Sequence, residues 1–461
     1  MAAPLIPPPY APDFLASLGW GECEIRPLAG DASFRRYFRI VDGARRAVLM
    51  DAPPPHEDPR PFIAVTEWLG QAGLSAPAIL GRDLERGLLL IEDFGDDRLR
   101  EALDVAPERE AELYEIATDL LVHLHARPAM PGLKPHGLVE WLSELHLFTN
   151  WYCPAMGIEP DVPGWDLAWA EVLAPVAADG LGPTTVLRDY HAENIMLVSG
   201  RTDIGHFGLL DFQDAVAGHP AYDLVSVLED ARRDVSPSVE RAMLDRYVRA
   251  RGQGPEFERA YWTLAAQRNT RILGVFTRLW MRDGKTHYLS FQPRMWGLLE
   301  RDLEHPALAP IRAWFDANIP ADKRAPAFTD EARRQLVRSN GARIEELEQK
   351  LAPAADRRVN FSHNSAELNM ALERLDSARG VIEVLNEPDM VENAVHIKTG
   401  VEHIRRCLER GATTSVQVIR YLLIDPIRRA LESGLDDAWK LVIQTGLLAL
   451  LAALLKLVAL S

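Results

Sequence analysis

Three oxygen-bearing side chains in the stretch LRDYHAENIMLVSGRTDIGHFGLLDFQDAVAGHPAYD, residues 187–223, stand at spacings that suit phosphoryl transfer. Asp189 is followed five residues later by Asn194, and Asp211 closes the apolar run Gly208-Leu209-Leu210. Moving a phosphoryl group onto a hydroxyl asks for hard oxygen ligands that hold magnesium-type ions against the phosphates. It also asks for a separate carboxylate that orients the attacking hydroxyl. Asp189 stands where the second task belongs, Asn194 and Asp211 where the first does. Loops between strands also collect Asp and Asn because these residues suit turns. The apolar run feeding Asp211-Phe212-Gln213, and Tyr222-Asp223-Leu224 beyond it, favour the chemical reading.

Such groups need rigid elements on both sides. After a short helix around Phe14–Leu18, CEIRPLAGDASFRRYFRIV and RRAVLMDAPP alternate apolar and polar residues, which predicts strands joined at Gly30-Asp31-Ala32-Ser33. Leu88-Leu89-Leu90-Ile91 predicts a buried strand running into the polar turn Glu92-Asp93-Phe94-Gly95. Apolar residues three and four apart, Leu113, Ile116, Ala117, Leu120, Leu121 and Leu124, predict a helix over 108–126. A second, aromatic-rich helix is expected over Trp141–Tyr152. His123 and His125 have no carboxylate or Cys at ligand spacing and read as capping or packing residues.

With these elements around it, the 187–223 stretch resembles the aminoglycoside phosphotransferase superfamily. Within it, the stretch looks like the sugar kinases that phosphorylate N-acetylmuramate and N-acetylglucosamine on the C1 hydroxyl in cell-wall recycling. The resemblance spans roughly residues 15–320. It implies an α+β, two-lobed protein-kinase-like fold, with ATP and Mg2+ as cofactors and a small amino sugar as substrate. The expected division is a loose arm at 1–12, a β-rich nucleotide lobe at 13–95, and a mainly helical catalytic and acceptor lobe at 96–320. In such a fold Gly30 and Ser33 lie over the nucleotide phosphates, with Arg35 or Arg36 adding a cation. Backbone groups near Glu92 and Phe94 hold the adenine edge, and Asp223 ties the catalytic loop to the next helix. Trp151 and Tyr152 either line the acceptor site or pack in the core. His191 either touches acceptor or phosphate or braces its own loop.

Two positions depart from the superfamily pattern. Met50 stands where a phosphate-binding Lys is usual, leaving that charge to Arg35, Arg36 and metal, with Glu67 the candidate partner acid. Leu187 stands where a loop-bracing His is usual. Downstream, Arg268 to Lys285 resembles the sugar-kinase branch more than antibiotic kinases. Arg271 and Arg278, seven residues apart, share a helical face, which suits either an acceptor carboxylate or structural ion pairs.

The net charge of −16 makes nucleic acid an unsuitable partner. The excess is uneven: residues 321–461 hold 20 charges of each sign, and the first 320 hold 31 basic against 47 acidic. Three cysteines without ligand spacing suggest a reducing compartment, and the proline-containing N-terminus reads as cytoplasmic rather than exported. Pro320–Pro326 reads as a boundary, after which 321–461 forms a helical extension with no catalytic motif. Helices are expected over 329–351, 366–385, 401–410 and 416–431. The run from 441 to 455 carries no charge and continues to Leu460. It suits a buried or oligomer-forming helix, a C-terminal membrane anchor, or a segment unrelated to the kinase.

Overall fold

The computed structural model describes residues 6–28, 35–283, 285–324, 330–354, 357–360, 368, 371–372, 375, 388–409, 413–432 and 437–460. Gly30, Ser33 and most of the expected 366–385 helix lie outside the described residues. The chain forms two compact units, Met1–Trp141 with Glu171–Ala265, and Leu142–Ala170 with Ala266–Ser461.

In the first unit, five antiparallel strands form one sheet: β1 (Glu24–Pro27), β2 (Arg36–Asp42), β3 (Arg45–Asp51), β4 (Ile79–Asp83) and β5 (Leu88–Glu92), in the order β1-β2-β3-β5-β4. Gly43, at φ 60°, lets the two-residue turn between β2 and β3 close with Asp42 opposite Arg45. Alternation along β2 turns Phe38 and Ile40 inward onto Phe14 and Leu15 of the helix Ala11–Ser17. The central strands β3 and β5 are buried on both faces, and Met50 is fully enclosed opposite Leu89. The helix Arg60–Gln71 buries Phe62, Ile63, Val65 and Leu69, and Phe62 stacks on Phe212 with ring centroids 5.1 Å apart.

Beyond β5 the unit turns helical. The helix Glu110–His125 packs against Pro237–Arg251, and Arg246 reaches both carboxylate oxygens of Asp119 at 2.7 Å. Then come β6 (Pro135–His136), β7 (Thr184–Val186), β8 (Ile195–Leu197), β9 (Phe207–Leu209) and β10 (Val216–Gly218). The strands β8 and β9 pair as a hairpin, and β10 lies between β6 and β7. The N–H of Leu209 donates to Ser75 O at 2.8 Å, fixing this hairpin to the end of the Arg60–Gln71 helix.

The second unit is built on aromatic packing. Leu138–Leu147 is α-helical, Phe148–Tyr152 is a π-helical turn, and Cys153–Ala155 resumes the helix. Phe148 stacks on Tyr152 and Trp165 and meets Trp296 and Phe315 edge-on. Tyr152 is therefore not available to a sugar: it is fully buried, its hydroxyl donates to Lys323 O at 2.6 Å, and it accepts from Trp296 Nε1 at 2.8 Å. Packing has claimed both its ring and its polar tip.

The C-terminal apolar run lies in the helix Asp437–Leu460, whose Ile443, Leu447, Leu450, Leu451, Leu454 and Leu457 are buried. They pack on the helix Asp330–Leu351, and Ile344, Leu347 and Leu351 of that helix and Ile397, Val401 and Ile404 of Pro388–Glu409 belong to the same apolar cluster. Among the described residues no helix is long and apolar enough to cross a membrane. This helix contributes buried residues to an apolar cluster separate from the aromatic one. Cys23, Cys153 and Cys407 are all free thiols.

Candidate active site

The hairpin register places the proposed metal-holding residues at one end. Ile195 pairs with Leu209, so Asn194 and Leu210 lie across from each other, and Leu210 N–H donates to Asn194 O at 2.9 Å. Asp211 follows at once. It sits in the left-handed region at φ 57°, which Asp tolerates better than most residues. Gln213 Nε2 donates to its Oδ1 at 2.8 Å and orients the carboxylate.

Asp189 opens the loop on the other side. Arg188, before it, is also left-handed at φ 68°, a conformation that costs a residue with Cβ roughly 1–2 kcal/mol. Its backbone is held at both ends. The N–H groups of Leu187 and Arg188 donate to the Asp223 carboxylate at 2.7 and 2.9 Å, and Ser226 Oγ donates to Arg188 O at 3.0 Å. Asp223 is fully buried, with His125 Nε2 3.6 Å from it and His125 Nδ1 2.8 Å from Tyr247 Oη. Burial pushes the His125 pKa below its usual value, against the pull of Asp223. The rest of the loop is tied down as firmly. Tyr190 Oη donates to Ala117 O at 3.0 Å, and Ala192 N–H to Asp230 Oδ2 at 3.1 Å. The Asp189 side chain is exposed and takes no hydrogen bond from the described residues.

The Asn194 amide nitrogen is engaged twice, by Asp189 O at 3.0 Å and by His191 Nε2 at 3.3 Å. A carbonyl oxygen only accepts, so the NH2 group faces the loop and Oδ1 faces away. His191 is buried within its loop. Among the described residues no three or more His, Cys, Asp or Glu stand together as a metal cage. A magnesium-type ion does not need one: it takes one or two protein oxygens and completes its shell with water and phosphate. An outward amide oxygen and an oriented carboxylate fit that demand.

One cation is coupled electrostatically to Asp211. Arg35 Nε lies 3.3 Å from Glu57 Oε2, both side chains largely sheltered. Burial opposes the Arg35 charge, but Tyr37, Glu57, Asp211 and Asp214 outweigh it and raise its pKa, which puts Arg35 in the field of Asp211. Glu67 does not partner it: its side chain is 59% exposed, with Arg82 4.0 Å away. Arg36 instead pairs with buried Asp51, Nε to Oδ2 at 2.8 Å. Nothing in the sequence marked Glu57, which lies in the aperiodic run Ala52-Pro53-Pro54-Pro55-His56-Glu57.

At the polar turn after β5, the N–H of Glu92 is already used by Ala78 O at 2.9 Å, and its carboxylate takes Arg201 and the Ala78 N–H. The ring of Phe94 packs on Met196 and Val198 under the Arg201 guanidinium. A Cβ at Gly208 would come within 2.6 Å of that ring, so the glycine makes room for it. Arg39 of β2 clamps the turn through Asp93, Asp96 and Gly95 O.

In the second unit Trp151 is half-buried. Arg271 lies 3.3 Å from Glu144, and Arg278 is half-buried on the same helix, Pro255–Asp283.

The model of the phosphotransferase enzyme family matches residues 24–261, which include β1 to β10 and the loop from Asp189 to Asp211. The chain belongs to this family. Its fold is the two-lobed, protein-kinase-like fold of the phosphotransferases, with a mostly helical C-terminal region. This phosphotransferase is 38% identical over 354 residues to the N-acetylmuramate/N-acetylglucosamine kinase of Caulobacter vibrioides, covering 68% of this chain and 96% of that one. Proteins of the same name from Pseudomonas aeruginosa and Pseudomonas putida are 36% and 33% identical. They cover 65% of this phosphotransferase and 91% and 90% of their own lengths. The C-terminal part of the chain is unmatched.

Proposed function

We propose that this phosphotransferase is an ATP-dependent amino-sugar kinase that phosphorylates the C1 hydroxyl of N-acetylmuramate and N-acetylglucosamine for cell-wall recycling. The observation that carries the reading is the alignment with a kinase of that name over 96% of its length, alongside the family match over residues 24–261, which take in Asp189 to Asp211. Asp189, exposed and without a described partner, would accept the hydroxyl proton as the sugar oxygen attacks phosphorus. Asn194 Oδ1 and Asp211 would hold Mg2+, which when bound neutralises charge on the phosphate oxygens.

Arg35, held by Glu57, would supply the phosphate-binding cation that Met50 cannot. Gly30 and Ser33 are assigned to the phosphates, and backbone groups from Glu92 to Phe94 to the adenine edge, the Glu92 N–H itself being taken by Ala78 O. Trp151, Arg271 and Arg278 are assigned to the acceptor, the arginines answering the N-acetylmuramate carboxylate.

The test is ADP release with Mg-ATP against N-acetylmuramate, N-acetylglucosamine, an unacetylated hexosamine, an aminoglycoside and choline. Turnover confined to the two N-acetylated sugars, with phosphate on C1, is the expected result. Preferred turnover of the aminoglycoside or choline would overturn the assignment.

A further inference from the structure

Around the catalytic loop, one cation is placed to act on Asn194 at one remove. Arg232 lies nine residues after Asp223, just past Asp230, which accepts the Arg232 N–H through Oδ1 at 2.9 Å and the Ala192 N–H through Oδ2. Its guanidinium reaches back to the loop. Nε lies 2.8 Å from Glu193 Oε2, and Nη1 lies 3.3 Å from His191 Nε2, the atom that meets the Asn194 amide at the same distance. Glu193 also takes Arg100, so the two arginines and the carboxylate form a cross-link beneath the loop.

Guanidinium has no lone pair to offer, so at this contact His191 Nε2 can only accept. The imidazole is then the neutral tautomer with its proton on Nδ1. In that tautomer the same Nε2 also accepts from Asn194, whose amide cannot turn its oxygen inward without meeting the His191 lone pair and the Asp189 carbonyl. We infer that Arg232 is a positioning residue for the metal site: it fixes the tautomer of His191 and thereby aims Asn194 Oδ1 at the metal. The inference rests on the assignment of Asn194 as a metal ligand. Groups that orient metal ligands from behind typically change metal affinity 10- to 100-fold when removed.

The experiment compares wild type with Arg232→Ala, Arg232→Lys, His191→Ala and the Arg232→Ala/His191→Ala double variant. ADP affinity is measured by calorimetry with and without magnesium. In the metal-free proteins, nitrogen NMR reports which His191 nitrogen carries the proton. Arg232→Ala should raise the magnesium midpoint for ADP binding about tenfold, leave metal-free ADP affinity unchanged, and release His191 into a mixture of tautomers. Arg232→Lys, which keeps a donor, should recover most of the effect, and Arg232→Ala should add nothing in the His191→Ala background.

If Arg232→Ala melts early, the lysine variant and the tautomer signal still decide the question. A magnesium midpoint within twofold of wild type, or a His191 proton already on Nε2, overturns the inference. Wild type that binds ADP equally with and without magnesium overturns the metal assignment itself.

Discussion

Asp223→Asn changes one oxygen to nitrogen in the group that holds the catalytic loop, and the structure sets the size of the effect. The Asp223 carboxylate accepts two backbone N–H groups, from Leu187 at 2.7 Å and Arg188 at 2.9 Å, on separate oxygens. An amide can satisfy only one and turns an NH2 toward the other. Hydrogen bonds to charged groups contribute about 1.5–3 kcal/mol, and a buried N–H left unpaired costs about 1–3 kcal/mol. The expected loss of unfolding free energy is about 3 kcal/mol, read by urea denaturation.

Catalysis should suffer as well. Losing this anchor leaves the left-handed Arg188 backbone held by Ser226 Oγ at its carbonyl, and its relaxation should move Asp189. A misplacement of about 1 Å costs on the order of 100-fold, so kcat should fall by about that factor while the ATP KM stays near wild type. Arg188→Gly in the Asp223→Asn background removes the steric reason for relaxation and should return about 1 kcal/mol. Stability within about 0.5 kcal/mol of wild type and kcat within about threefold would refute the reasoning.

Asp189→Asn should abolish turnover with ADP binding intact, whereas Asp211→Ala should abolish the magnesium dependence of that binding; calorimetry and initial rates separate the two. Arg35→Gln should raise the ATP KM about tenfold, one charge-assisted contact, with adenosine affinity unchanged. Gly274→Ala would place a Cβ 2.3 Å from the Leu147 carbonyl carbon and should cost about 3 kcal/mol in the melt. Gly297→Ala, with nothing within 4 Å, should stabilise its helix by about 0.5–1 kcal/mol. For His125 the folded pKa lies below the ordinary 6.5, so its contribution is present above that pH and is lost as pH falls through the folded value. Urea midpoints from pH 7.5 to 5 should fall in wild type and flatten in His125→Gln.

The local arrangement of the loop proposed to be catalytic was legible because its residues sit in one short segment. Asp189, Asn194, Asp211 and Asp223 are set by local spacing, and the hairpin between them follows from two apolar runs and a turn. What acts on them from a distance was not legible. Glu57 comes from a proline-rich loop without period. Arg232 follows a helix, Ala221–Leu228, whose eight residues are all buried and give no hint that the chain turns back toward Glu193. Tyr152 shows the converse failure. An aromatic run has the same pattern whether its rings face a ligand or each other, and the partners that decide, Trp165, Trp296 and Phe315, lie far away in sequence.

The C-terminal run poses that ambiguity at the scale of a whole helix. Fifteen residues without charge satisfy a bilayer and a protein interior equally, since both solvents reject the same groups. What separates the two outcomes is whether other helices offer enough apolar surface to cover it. That evidence was already in the chain, in less apolar helices: Ile344, Leu347 and Leu351, then Ile397, Val401 and Ile404, recur at three- and four-residue steps on otherwise charged sequences. A membrane helix needs no such partners. The Asp330–Leu351 stripe covers the uniformly apolar helix, and the Pro388–Glu409 stripe joins the same apolar cluster, because each stripe buries its own face only against other apolar surface.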